Sequence, residues 1–217
     1  MIQSSSPTAA QSRLPLGSLA VVAVLVVIAV LAGQALEWAA HPPPRGAFAG
    51  CHTAPATGPH TFAAPPPFCI DRTRNYSATI STTKGDIGVV FLTSSTPATV
   101  NNFIVLAVNG YFNGMPFFKS SDWYIQTGDP LGTGHGGPGY TLPDEPSTDA
   151  WVPGSLGMAR IPDEGLSGSQ FFLTKSDIPN GPPTTIYNHF ATVTLGFDKV
   201  GQLDTTDRIL SITVKRA

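Results

Sequence analysis

Charge is scarce in this chain. Only 12% of its 217 residues are Asp, Glu, Lys or Arg, and the formal net charge is −2. A nucleic-acid surface needs clustered Lys and Arg on a basic domain, so nucleic acid is excluded as a partner. Cysteine is scarcer still: Cys51 and Cys69 are the only 2, and they form no CxxC pair. The 5 histidines (His41, His52, His60, His135 and His189) show no ligand spacing, so no metal centre is expected. Cofactor fingerprints are missing as well. Gly132-x-Gly134-x-x-Gly137 matches a dinucleotide motif by letter, but Pro138-Gly139 follows where a helix must begin. Gly165-Leu166-Ser167-Gly168-Ser169 lacks the last glycine of a nucleophile elbow. No cofactor is expected, and no internal repeat is visible.

Glycine and proline are plentiful, at 22 and 21 residues, which favours strands and turns over long helices. The longest apolar run is Leu16 to Gly33, with Arg13 before it and Glu37, His41 and Arg45 after it. About 18 such residues are just enough to span a bilayer as a helix. A cleaved signal peptide is the alternative, with small residues at Gly33-Gln34-Ala35. Either reading exports the rest of the chain. The expected organisation is a tail at 1–15, a transmembrane or signal-anchor helix at 16–36, a Pro-rich linker at 37–70 and a folded domain at 71–217. The expected location is the cell membrane, single-pass, with the folded domain on its extracytoplasmic side, or secretion after cleavage. The linker, which includes Pro42-Pro43-Pro44 and Pro65-Pro66-Pro67, is expected to be extended and stiff. Cys51 and Cys69 bracket its second half and could pair outside the cytoplasm, contributing roughly 3 kcal/mol, or remain free thiols.

Past Cys69 the pattern changes. Tyr76 to Thr83 alternates as a strand, Lys84-Gly85-Asp86 is a turn, and Ile87 to Leu92 is a second strand, predicting a hairpin. Thr96 is placed to cap a helix with Pro97 in its first turn, and Val100, Phe103, Ile104 and Ala107 recur at helical spacing until Asn109-Gly110 ends it. Short strands follow. Phe197 to Leu203 is predicted as a second short helix, and Arg208 to Lys215 as the closing strand.

Two blocks stand out in this domain: Tyr124-Ile125-Gln126-Thr127-Gly128-Asp129 and Gly168-Ser169-Gln170-Phe171-Phe172. They resemble the signature blocks of the cyclophilins, the barrel-shaped peptidyl-prolyl cis-trans isomerases. The capped helix, read as Thr96-Pro97-Ala98-Thr99-Val100-Asn101-Asn102-Phe103, and the segment Gly157-Met158-Ala159-Arg160 are similar to further family segments. The resemblance covers about Tyr76 to Val214. It implies a mainly β fold, a closed barrel capped by two helices, and an isomerase of X–Pro bonds that needs no metal or cofactor. The expected partners are proline-containing peptide segments or unfolded exported proteins, and the membrane through the N-terminal helix.

The resemblance also distributes roles. Phe172, Tyr124 and Ile186 would line the proline pocket, with Trp123 and Phe190 beside it. Gln126 and Gln170 would offer amide donors and acceptors to the peptide, and Ala159 and the backbone at Arg160 would lie along it. One position departs from the pattern. The family has an arginine eight residues before the glutamine matching Gln126, and here that residue is Phe118, with Lys119 next. Either Lys119 stands in for the arginine or the charge is absent, unless Arg160 reaches inward from across the groove. The expectation is a weakened isomerase; the alternative is a non-catalytic proline-peptide binding module or chaperone.

Overall fold

The computed structural model describes residues 48–52, 60–179 and 187–217. The tail and the apolar run expected at 1–15 and 16–36, and Ile186, lie outside the described residues. Among the described residues no helix is long and apolar enough to cross a membrane.

The domain is mainly β. Strands β1 (Tyr76–Thr82) and β2 (Gly85–Phe91) form the expected hairpin, with Ile80 opposite Ile87 and Thr82 opposite Gly85. In β1 the side chains of Tyr76, Ala78, Ile80 and Thr82 point inward, the period-two signature of a sheet with one buried face. The remaining strands are β3 (Lys119–Ser120), β4 (Tyr124–Thr127), β5 (Thr141–Leu142), β6 (Ser155–Ile161), β7 (Gly165–Thr174), β8 (His189–Leu195) and β9 (Ile209–Arg216). They form one sheet in the order β3-β4-β7-β6-β8-β2-β1-β9, with β5 paired to β7 off the main path.

A barrel closed by continuous pairing was expected; the sheet instead curls and its ends meet irregularly. The closure consists of an isolated bridge between Pro116 and Arg208, with the Phe117 N–H donating to the Asp207 carbonyl at 3.1 Å. On the other side of the bridge the Ile209 N–H donates to the Met115 carbonyl at 2.9 Å, so Pro116, which has no N–H, sits at a position of the pair where none is needed.

Helix α1 (Pro97–Val108) lies where its apolar spacing predicts. Its cap differs from expectation. The Thr96 hydroxyl makes no capping bond and instead approaches the His189 carbonyl at 3.3 Å. The Glu145 carboxylate does the capping from a distant loop, accepting from the Ala98 and Thr99 N–H groups at 2.9 and 2.7 Å. A full negative charge at the helix N-terminus satisfies two orphan donors and complements the macrodipole. Helix α2 (Phe197–Gln202) ends one residue before Leu203, which is its C-cap. Inside the curl, Phe103 of α1 meets Phe91, Phe112, Phe171 and Phe190 at ring separations of 5.5, 5.0, 5.2 and 5.1 Å. This aromatic cluster is the centre of the core.

The described parts of the Pro-rich segment do not stand off as a spacer. Cys51 and Cys69 form a disulfide, their Cα atoms 5.2 Å apart. Asn109 on the far end of α1 donates to the Cys51 carbonyl at 2.9 Å, and Asn101 Oδ1 accepts from the Cys69 N–H at 2.9 Å. Further along, the Phe62 N–H donates to Pro138 O at 2.8 Å while its ring meets Tyr111. Buried apolar anchors and the cross-link outweigh the local preference of the prolines for an extended chain.

Candidate functional site

The site begins with alternation along β4. Ile125 and Thr127 are fully buried, so Tyr124 and Gln126 point out of the opposite face. Residues directly opposite in adjacent strands share a face. The register therefore draws one row across five strands: Lys119 on β3 opposite Gln126 on β4, Gln126 opposite Phe172 on β7, Phe172 opposite Gly157 on β6, and Gly157 opposite His189 on β8. The Phe118 N–H also donates to the Gln126 carbonyl at 3.0 Å, so Phe118 and Lys119 both lie against one residue of β4.

Over the first half of this row runs a groove of about 430 Å³. Its lining includes Phe118, Lys119, Trp123, Tyr124 and Gln126 on one side and Ala159, Arg160, Gln170 and Phe172 on the other. Nine of the expected residues are thus brought together. Phe172 is the centre of its aromatic part, with Trp123, Tyr124 and Tyr187 set edge-on to it at 5.9, 5.9 and 5.2 Å. Such a surface offers ring faces and edges to an apolar ring and little to a charged group.

Phe190 is not part of this groove. It is 0% exposed and packs on Phe103 and Phe171 in the core. The alternation of β8 explains the difference: a shift of one residue exchanges the faces, and it is His189 that shares the face of the row. Next in sequence to Ile186, which lies outside the described residues, Tyr187 lines the groove. Sequence reasoning missed Tyr187, and also Thr133, Gly134, His135 and Pro162 on the groove wall. The glycine motif set aside as a nucleotide fingerprint was the available signal for this wall, since a turn-rich loop must go somewhere.

That loop is held by buried polar groups. Asp129 is fully buried and accepts from the N–H groups of Leu131, Thr133 and Gly134 at 2.7, 2.8 and 2.6 Å. Burial raises the Asp129 carboxyl, but the backbone donations outweigh it and hold the group below its ordinary value. Gln170, 1% exposed, donates through Nε2 to the carbonyls of Gly134 and Gly136 at 3.0 and 2.7 Å, and its Oε1 accepts from Gln126 Nε2 at 3.0 Å. A bulge makes this possible: between the pairs Met158–Phe171 and Arg160–Leu166, the lone Ala159 faces Ser167 to Gln170.

The two basic side chains differ. Lys119 is exposed, with Nζ 5.8 Å from the Tyr124 ring centroid. Arg160 lines the groove while its Nη2 pairs with Asp144 Oδ1 at 2.6 Å, which holds that end of the guanidinium on the rim. Among the described residues no group of three or more His, Cys, Asp or Glu is placed to hold a metal ion.

Comparison with known proteins points the same way. The family model described as cyclophilin type peptidyl-prolyl cis-trans isomerase matches residues 77–215. A peptidyl-prolyl cis-trans isomerase of Synechococcus elongatus is 35% identical over 140 residues, spanning 63% of this chain and 94% of its own. A probable peptidyl-prolyl cis-trans isomerase A of Mycobacterium leprae is 37% identical over 125 residues, covering 49% of this chain and 68% of its own. Among solved structures, a Cryptosporidium parvum cyclophilin superposes with a TM-score of 0.57 at 28% identity, over 65% of this chain and 98% of that one. The same protein was crystallised in the presence of the dipeptide Ala-Pro, and that structure matches with a TM-score of 0.57 at 29% identity, over 64% of this chain and 98% of that one. With its outward-facing Gln126, its bulged Gln170 and its aromatic groove in register, this chain belongs to the cyclophilin-type peptidyl-prolyl cis-trans isomerases.

Proposed function

We propose that the groove isomerises X–Pro bonds in exported proteins, with turnover below that of arginine-bearing relatives, and that Lys119 supplies the positive charge. The observation that carries this reading is the register of Lys119 opposite Gln126, on the face that holds Phe172. Isomerisation needs no nucleophile. Its barrier of about 18–20 kcal/mol comes from amide resonance, and a catalyst lowers it by binding the twisted bond better than either planar form. In this reading the aromatic end of the groove takes the proline ring. Gln126, its amide turned by Gln170, offers its remaining N–H and its carbonyl to the peptide backbone. Lys119 polarises the twisted amide from the adjacent strand. An ammonium is a point charge and lacks the planar fork of a guanidinium, which is why a reduced rate is expected.

The apolar run at Leu16 to Gly33 and the Cys51–Cys69 cross-link support an extracytoplasmic location, because disulfides persist in oxidising compartments. The clients would then be unfolded exported chains, and slow prolyl isomerisation limits the folding of such chains. Protease treatment of intact cells should degrade the folded domain of an anchored chain; full protection would overturn the location.

An NMR exchange assay on an Ala-Pro peptide tests the chemistry. Lys119→Ala should lower kcat/KM by about tenfold or more, and Phe118→Arg should raise it. Equal rates for Lys119→Ala and the parent chain would remove Lys119 from the mechanism. Peptide binding with no exchange in the parent would leave only the binding-module reading.

A further inference from the structure

We propose that Trp151 is a positioning residue for the isomerase reaction, holding Phe172 flat so that the groove floor presents a fixed ring to proline. The inference rests on the reading of the groove given above and concerns a residue outside its lining. In the row across the sheet, the position between Phe172 and His189 is Gly157, with no side chain. Trp151 fills that gap. A Cβ on Gly157 would lie 2.5 Å from Trp151 Cη2 and 2.6 Å from Phe172 Cζ, so the glycine is the condition for the indole's approach. The indole stacks on Phe172 at 8° and 5.8 Å, and on His189 at 25° and 4.4 Å. Three rings therefore lie in a pile with the indole in the middle, although Trp151 is on neither strand of its neighbours.

The turn that carries Trp151 is tied to the strand that carries Phe172. The Thr174 hydroxyl donates to the Val152 carbonyl at 2.9 Å and accepts from the Ser155 N–H at 2.9 Å. The Gly154 N–H donates to the Thr174 carbonyl, also at 2.9 Å. Thr174 is two residues beyond Phe172, so the brace and the braced ring share one anchor. The three other aromatic neighbours of Phe172 meet it at 70° to 80°. Trp151 supplies the parallel face that fixes the ring's tilt.

A flat face and mere filling of space are separable. KM and kcat for an Ala-Pro peptide are measured on the full chain by NMR exchange, together with denaturant midpoints. Trp151→Leu keeps an apolar side chain without a flat face; Trp151→Phe keeps the face. The expected result is a rise in KM of about tenfold for Trp151→Leu with kcat little changed, and recovery of most of that loss in Trp151→Phe. A Trp151→Leu protein with the parent's KM overturns the proposal, as does a Trp151→Phe protein no better than Trp151→Leu. Phe172→Ala separates this outcome from failure of the groove itself. If Phe172→Ala loses the peptide and Trp151→Leu does not, only the role of Trp151 falls; if Phe172→Ala binds as the parent does, the reading of the groove falls with it.

Discussion

Gln126 Nε2 donates to Oε1 of Gln170 across 3.0 Å, and the direction of that bond is imposed from elsewhere. The carbonyls of Gly134 and Gly136 only accept, so Gln170 must turn its NH₂ toward them and its oxygen toward Gln126. The glycine loop thereby sets which end of the Gln126 amide faces Gln170 and which remains for a peptide. A residue of the signature block that lines the groove acts chiefly as a buried connector between the loop and its neighbour.

Gln170→Glu tests this directly. A carboxylate has the same shape but cannot donate to the two loop carbonyls, and buried acceptors left unpaired cost about 1–3 kcal/mol. The unfolding free energy from denaturant curves should fall by that amount at neutral pH, and kcat/KM should fall with it as Gln126 loses its orientation. A Gln170→Glu protein as stable and active as the parent would mean the two amides are not connected in this direction.

The Cys51–Cys69 cross-link closes a segment with a sequence separation of 18. In the chain-entropy model a loop of this size contributes roughly 3 kcal/mol. Unfolding in the presence of a reductant, or of the Cys51→Ala/Cys69→Ala double variant, should show a loss of this order. Coincident unfolding curves with and without reductant would contradict it.

Glu145 caps α1 through Ala98 and Thr99, and its own N–H is held by Asn188 Oδ1 at 2.8 Å. Glu145→Ala should cost about 1–2 kcal/mol in denaturant unfolding, whereas Thr96→Ala should not show the loss of a cap. If the two substitutions exchanged places, the local capping rule would have been right after all.

Burial pushes the His189 imidazole below its ordinary 6.5, against the opposing pull of Asp149. The folded state therefore binds its proton later than the unfolded state as pH falls. The stability tied to neutral His189 is complete above about pH 6.5 and is lost as pH falls toward the folded value. Unfolding curves collected from pH 7.5 downward should show a fall that His189→Phe flattens. Parallel pH profiles for the two proteins would show that another group is responsible.

Much of the fold was legible because it is written in local periods. The alternation of Tyr76 to Thr82 and the helical spacing of Val100, Phe103, Ile104 and Ala107 mark a half-buried strand and a helix, although the one apolar face expected of the helix is not what forms: Thr99 to Ala107 is buried all round. The two signature blocks likewise carried the family and four of the groove residues, Tyr124, Gln126, Gln170 and Phe172, while the wider resemblance supplied Phe118, Lys119, Trp123, Ala159 and Arg160. The neighbours that complete the site were not legible. That Lys119 faces Gln126, that Glu145 caps α1, that Phe190 points inward, and that Trp151 fills the gap above Gly157 all depend on strand register and on a bulge in β7. Register is a property of pairs of strands distant in sequence, and a slip of one residue moves a side chain to the opposite face. The sequence by itself determined which elements form and what chemistry they hold; the folded sheet decided which side chains meet, because only pairing between distant strands fixes the face on which each one lies.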